Sequence, residues 1–228
     1  MARVSLRLDD AGRKRVSDAV GAAEAGTAGE IVTIVTEQSD SYADIALAWS
    51  AAAAFLAITT LSLFPDFYLG LLDRLTGTWH GQKTPGQILA PVPAVGVLKF
   101  MAMTALQLWP PLRFALVPGR IKSLRSRARA VAFFKVGAER RTHGRTGILI
   151  YVSMREHRAE IVADEAIAGQ VPDEVWGEAM AALLAQIRQG CLAEGMAAAV
   201  ERVGLVLAEH FPRAENDVNE LPDRLIEV

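Results

Sequence analysis

The strongest constraint on this chain is an uncharged run in its first third, residues 45–65, which reads IALAWSAAAAFLAITTLSLFP. About 20 consecutive apolar residues are enough for a helix to cross the hydrocarbon core of a bilayer. A single segment in lipid must satisfy its backbone hydrogen bonds internally, so it must be helical. The alternative is a buried, alanine-rich core helix. The length of the run and its lack of a polar face favour a membrane span.

A second apolar stretch, residues 88–117, is interrupted by Lys99 and Arg113. We expect a span at about 91–112, which places Arg113 at an interface. The Lys99 side chain would then have to extend toward the interface, since a charge near mid-bilayer costs about 2.5–3.5 kcal/mol. Pro110 would end or kink this helix. The alternative is an interfacial or re-entrant segment.

The distribution of cations predicts the orientation of this helical hairpin. A basic cluster follows the second span: Arg120, Lys122, Arg125, Arg127 and Arg129. The loop between the spans offers only Arg74 and Lys83. By the positive-inside rule, residues 118 onward are cytoplasmic, and the hairpin returns residues 1–43 to the same side. We therefore expect a multi-pass protein of the inner (cytoplasmic) membrane with both termini in the cytoplasm. The basic cluster could also attract anionic headgroups, but a topology signal is the simpler interpretation.

Composition excludes several other classes of protein. The net charge of −2 argues against nucleic acid as a partner. Cys191 is the only cysteine, so an intramolecular disulfide and a cysteine-based metal site are excluded. The first residues contain no apolar stretch typical of a signal peptide. The expected partners are the lipid bilayer and a membrane protein.

Outside the membrane hairpin (44–117), residues 1–43 and 118–228 read as one ordinary α/β domain. The predicted elements are helix 10–25, strand 30–37, helix 120–141, strands 148–153 and 158–164, helices 172–188 and 192–210, and a polar tail at 211–228. A helical crossover makes the first two strands parallel, and a tight turn makes the last two antiparallel. The predicted fold is a small mixed-sheet α/β/α sandwich, split by an inserted transmembrane helical hairpin.

These segments resemble the TPM domain, which occurs in bacterial envelope proteins and in a thylakoid-lumen protein linked to photosystem repair. The matching features are the glycine turn before Glu30–Val32, the apolar strand Gly147–Val152, and the hairpin strand Ala159–Glu165, followed by two helices. The resemblance covers residues 10–43 and 118–210. It rests on this pattern of elements.

The resemblance implies one of two kinds of function. Some members of the family have been assigned weak acid-phosphatase activity or divalent-metal binding, and others act in the assembly or repair of membrane complexes. This chain departs from the family in two respects. The membrane hairpin is inserted inside the domain, and Arg145-Thr146 replaces the Asp-Asn that commonly precedes the glycine of the second strand.

The strand directions predict a cluster of polar residues at one edge of the sheet. Glu30, the turn containing His143 and Arg145, and the pair Asp164 and Glu165 should meet there. Carboxylates with an imidazole could hold Ca²⁺ or Mg²⁺, or perform general acid–base chemistry. The metal ligands would be Glu30, Asp164 and Glu165. The structural alternative is that Arg145 pairs with Asp164 or Glu165 while Glu30 only caps a turn. A cation at position 145 lowers the expected metal affinity, so we favour that alternative.

The sequence favours a non-enzymatic function. It contains no nucleophile beside a base and no GxSxG, HExxH or P-loop motif, so it identifies no catalytic residue. We expect a membrane-anchored interaction domain that helps to assemble or maintain an envelope complex, with no certain cofactor. The alternative is a weak phosphatase that depends on a divalent metal.

Overall fold

A computed structural model describes residues 8–76, 84–137, 146–213 and 223–228. The chain divides into two compact units. The first, which we call the sheet unit, comprises Met1–Asp40 and Gly119–Val228. The second, the hairpin unit, comprises Ser41–Pro118.

The elements follow one another as α1 (Asp10–Glu24), β1 (Glu30–Thr36), α2 (Ala43–Leu63), α3 (Pro65–Thr76), α4 (Pro85–Leu89), α5 (Pro91–Leu106), α6 (Pro110–Leu116), α7 (Gly119–Gly137), β2 (Gly147–Ser153), β3 (Arg158–Ala163), α8 (Glu165–Ala168), α9 (Asp173–Arg188), α10 (Leu192–His210) and β4 (Ile226–Glu227). The sheet unit contains the four strands with α1 and α7 to α10. The hairpin unit contains α2 to α6.

The described strands form one mixed sheet in the order β3-β2-β1-β4. β1 and β2 run parallel, with Glu30 opposite Gly147, and β2 and β3 run antiparallel. The predicted mixed sheet is thus confirmed. β4 lies parallel to the end of β1, with Ile226 opposite Ile34. This fourth strand, in the segment expected to be a polar tail, is too short to leave a periodic signal in the sequence.

Helices cover both faces of the sheet. On one face α1, α9 and α10 contribute buried apolar side chains such as Val16, Leu183 and Val200, which pack with Ile148 and Ile150. On the other face Ala130 and Phe134 of α7 pack with Leu149, Tyr151 and Val162. β2 is buried along its whole length, as expected for the uniformly apolar run in its sequence.

Helix α1 shows how local sequence sets these elements. The Asp9 side chain caps the helix by accepting a 2.8 Å hydrogen bond from the Gly12 amide. Val16 and Val20, four residues apart, are fully buried on one face of α1. Gly204 of α10 allows close approach to α1, because a Cβ there would lie only 2.6 Å from the Cβ of Ala23.

In the hairpin unit, α2 is one apolar helix long enough to cross a membrane, and only 6% of its most apolar window is buried. The second span expected at about 91–112 is not one continuous helix, in line with the end or kink expected at Pro110. Helix α5 ends at Leu106, and α6, which begins at Pro110, is bent from it by 108°. Proline has no amide hydrogen to continue the helical pattern, which accounts for the new start. The described residues contain a second candidate span only if α5 and α6 together are counted as one span.

Helices α2 and α5 pack against each other in antiparallel fashion through small and polar residues. A Cβ at Gly96 would come within 2.7 Å of the Ile58 side chain. Toward the other end of the pair, Gln107 donates to the Ala46 carbonyl (3.0 Å) and to the Ser50 hydroxyl (3.2 Å). Small residues with a few interhelical hydrogen bonds are typical of helix pairs in lipid.

Candidate functional site

The polar edge expected from the strand directions lies where β1 and β2 begin and β3 ends. The Glu30 amide donates to the Thr146 carbonyl (3.1 Å), and Glu30 lies opposite Gly147 in the sheet. Asp164 lies across Gly147 on the other side. Its amide donates to the Gly147 carbonyl (2.9 Å), and its Oδ2 accepts from the Gly147 amide (3.1 Å). Glu30 and Asp164 therefore lie at the same end of the sheet, with the start of β2 between them.

The two carboxylates at this edge are buried. Glu30 is 6% exposed and Asp164 is 5% exposed, whereas Glu165, the first residue of α8, is exposed. Hydrogen bonding to the Gly147 amide gives Asp164 a structural role at the strand end. His143 and Arg145 lie outside the described residues, and so does the expected ion pair of Arg145. The described part of the chain contains no group of three or more His, Cys, Asp or Glu side chains placed to hold a metal ion. The Ca²⁺ or Mg²⁺ site stays a prediction.

The same edge contains a buried carboxyl group that was not predicted from the sequence. Glu24, the last residue of α1, is 7% exposed, and its Oε1 accepts a 2.7 Å hydrogen bond from the Ile31 amide. Its Oε2 is buried as well. Burial raises the pKa of Glu24 to about 8; the Ile31 hydrogen bond opposes this shift, and the negative charges of Glu30 and Asp223 add to it. Glu24 therefore holds its proton near neutral pH.

A second buried polar cluster lies at the opposite end of the sheet. The Glu156 carboxylate accepts from the Ser39 amide (2.8 Å) and from the Ser153 hydroxyl. The hydroxyls of Ser39 and Tyr151 are 3.0 Å apart, and burial raises the pKa of Tyr151. This cluster ties the segment after β1 to the β2–β3 turn. Because both carboxylate oxygens of Glu156 accept hydrogen bonds within the fold, we assign it a structural role.

The basic helix α7 is largely engaged within the sheet unit. Arg125 forms an ion pair with Asp40 (3.0 Å), and Arg127 contacts the Ile161 carbonyl and Glu160 (3.7 Å). The guanidinium of Arg129 lies 4.8 Å from the centre of the Phe133 ring. Only part of the cluster counted in the sequence is therefore available to a membrane surface.

The geometry defines a class of protein: a small α/β domain with a mixed sheet, helices on both faces and buried carboxyl groups at one strand end. Residues 116–206 match the family model of the TPM domain. This part of the chain is therefore similar to the TPM domain, as the sequence resemblance indicated.

A solved structure with the same fold is the NMR structure of the BA42 protein from the psychrophilic bacterium Bizionia argentinensis. It matches with a TM-score of 0.56 and 18% sequence identity, over 100% of both chains. At that identity the similarity shows the fold alone. Comparison with curated proteins gives no match.

Proposed function

We propose that this protein is a TPM-domain protein anchored in the cytoplasmic membrane, whose sheet unit acts as a non-catalytic interaction domain in the assembly or maintenance of an envelope complex. The observation that carries the proposal is the apolar surface of the hairpin unit. Large side chains on α2 and α5 remain exposed, among them Phe55 (70%), Leu56 (69%), Leu98 (65%) and Met101 (60%).

Such a surface needs an apolar environment. Contiguous exposed apolar patches are rare on soluble monomers and mark interfaces with membranes or proteins. A core helix of a soluble protein would be mostly buried, whereas α2 is mostly exposed. The interhelical hydrogen bonds of Ser50 and Gln107 satisfy their polar groups inside the helix pair, which suits insertion in lipid.

The non-catalytic role is supported by the state of the carboxyl groups in the sheet unit. Asp164 is hydrogen-bonded to the backbone, and Glu24 is protonated near neutral pH because it is buried. A metal ligand must be ionised and accessible to the ion. The second candidate is a weak phosphatase dependent on a divalent metal. It is favoured by the position of Glu30 and Asp164 at one edge and by the properties of other family members.

Cysteine labelling tests the membrane topology. Single cysteines at Thr78 and Asn216 are introduced into a Cys191→Ala background, and intact cells are treated with a membrane-impermeant maleimide. A hairpin with both ends in the cytoplasm gives labelling at position 78 and protection at position 216. Labelling at 216 without labelling at 78 would reverse the proposed topology, and extraction of the protein by alkaline carbonate would refute membrane insertion.

Calorimetry with Ca²⁺ and Mg²⁺ distinguishes the two candidate functions. The purified wild-type chain, Asp164→Ala and Arg145→Asp are compared, with phosphatase activity measured on the same samples. We expect no tight binding by the wild type, and binding gained in Arg145→Asp, because that change restores an acidic residue before the glycine of β2. Tight binding and metal-dependent hydrolysis by the wild type, both lost in Asp164→Ala, would establish the phosphatase instead.

A further inference from the structure

A groove of about 810 Å³ lies within the hairpin unit, between α2, α3 and α5. Its lining includes Leu56 of α2, Phe67 and Tyr68 of α3, and Leu98 of α5. This volume is in the range of about 300–1,000 Å³ that is typical of ligand sites. Tyr68 is buried, and its hydroxyl donates to the Ile88 carbonyl of α4 (3.2 Å), which holds α3 against α4. The apolar lining indicates a ligand with a hydrocarbon chain.

One cation breaks this apolar surface. Among the described residues that line the groove, Lys99 carries the only charge. Lys99 lies near the middle of α5, three residues after Gly96, where α5 closely approaches Ile58 of α2. Within the described part of the chain Lys99 forms no ion pair or hydrogen bond. A lysine within a bilayer is stabilised by an anionic partner, since an unpaired charge in hydrocarbon is costly.

We propose that this groove is a binding site for an anionic phospholipid, with one acyl chain along the apolar lining and the headgroup phosphate paired with Lys99. The ammonium group extends along its flexible stem toward the interface, where it meets the phosphate. No carboxylate is found among the described residues that line the groove, so the ligand must bring the negative charge. A zwitterionic lipid offers the same chain and phosphate, but its own ammonium group cancels the phosphate charge and competes with Lys99, which makes net charge the basis of selectivity. The proposal rests on the proposed membrane insertion.

Native mass spectrometry of the full chain, released from vesicles in mild detergent, tests this site. The vesicles contain phosphatidylcholine with phosphatidylglycerol as the minor component. The variants are Lys99→Gln, the charge-preserving Lys99→Arg, and Lys135→Gln as a matched control on an exposed lysine of α7. We expect the wild type, Lys99→Arg and Lys135→Gln to retain one phosphatidylglycerol per chain. Because Lys99→Gln removes the cation that pairs with the phosphate, it should retain phosphatidylglycerol roughly tenfold less, which corresponds to about 1.4 kcal/mol.

Other results would overturn the proposal. If Lys99→Gln retained as much phosphatidylglycerol as the wild type, Lys99 would not be part of the site. If the wild type retained phosphatidylcholine as well as it retains phosphatidylglycerol, the site would not select lipids by charge. Retention of added oleate in preference to phosphatidylglycerol would show that the site takes a fatty acid. Resistance to carbonate extraction is measured on the same variants. Extraction of the wild type by carbonate would refute the membrane anchor itself. Resistance of the wild type to extraction, without selective retention of phosphatidylglycerol, would refute only the lipid site.

Discussion

Replacing Glu24 by glutamine should change how the stability of the sheet unit depends on pH. The pKa of Glu24 is raised from an ordinary 4.5 to about 8. Below about pH 4.5 the carboxyl is protonated in both the folded and the unfolded chain. Between about pH 4.5 and 8 the unfolded chain releases this proton and the folded chain keeps it, so the free energy of unfolding falls as pH rises. Above about pH 8 the fold contains a buried carboxylate.

The structure sets the size of this effect. A pKa rise from 4.5 to about 8 corresponds to an upper limit of about 5 kcal/mol. The carboxylate would sit at the carboxyl end of α1, where the helix dipole disfavours a negative charge, but the Ile31 amide still donates to it. Relaxation and water access reduce such values in real proteins. We therefore expect the wild type to lose about 1–3 kcal/mol relative to Glu24→Gln between about pH 5 and pH 8.5.

Urea unfolding of the full chain in mild detergent measures this difference. Trp176, which is buried in the sheet unit, serves as the fluorescent probe after the other three tryptophans are replaced by phenylalanine. All other titrating groups are common to both proteins, so subtracting one curve from the other isolates Glu24 together with its coupling to Glu30 and Asp223. Glu201→Gln, which removes an exposed carboxylate from α10, is the control and should follow the wild type. Substitutions at ordinary surface positions change stability by no more than about 0.5 kcal/mol. If Glu24→Gln also stays within that range of the wild type at every pH, a buried and protonated carboxyl at this position would be refuted.

Three further substitutions test the packing of the two units. Gly204→Ala should destabilise the sheet unit by about 1–3 kcal/mol because its Cβ would meet Ala23, whereas Gly177→Ala, which has open space around it, should be neutral or stabilising in the same urea assay. Glu156→Ala leaves the buried Ser39 amide and Ser153 hydroxyl without their acceptor and should lower the free energy of unfolding by about 2–4 kcal/mol. An unchanged urea midpoint would contradict the structural role assigned to Glu156. Gln107→Leu should weaken the α2–α5 pair by about 1 kcal/mol, read as a lower urea midpoint in detergent when Trp49 of α2 is the only tryptophan, and an unchanged midpoint would show that these interhelical bonds contribute nothing.

Strand direction was the part of the fold most accessible from the sequence. The β-branched run after Glu30 and the apolar run after Gly147 identify two strands, and a helical crossover between them requires a parallel pair. The same reasoning placed Glu30 and Asp164 at one edge. Glu24 was missed although its spacing shows its position: it follows Val16 and Val20 at four-residue intervals, on the buried face of α1.

Features that depend on contacts between distant parts of the chain were harder to predict from the sequence. The positive-inside rule counts cations, but it cannot tell that Arg125 will pair with Asp40 or that Arg127 will contact Glu160. The sequence predicted that Pro110 would end or kink the second apolar helix, but it could not predict the 108° bend between α5 and α6. A two-residue strand such as β4 exists only because the edge of β1 is there to pair with it.

The position of the hairpin in the chain explains how a sheet can contain so large an insertion. A parallel β1–β2 pair already requires a long crossover, so a segment added before α7 lengthens an existing connection and interrupts no pair of strands. The two ends of the hairpin unit also lie together: the rings of Tyr42 and Phe114 are 5.6 Å apart, and the Trp49 indole donates to the Leu116 carbonyl (3.0 Å). Since the cost of closing a loop grows only slowly with its length, an insertion whose ends meet adds little to that cost. The β1–β2 pair can therefore keep its register around an insertion of this size.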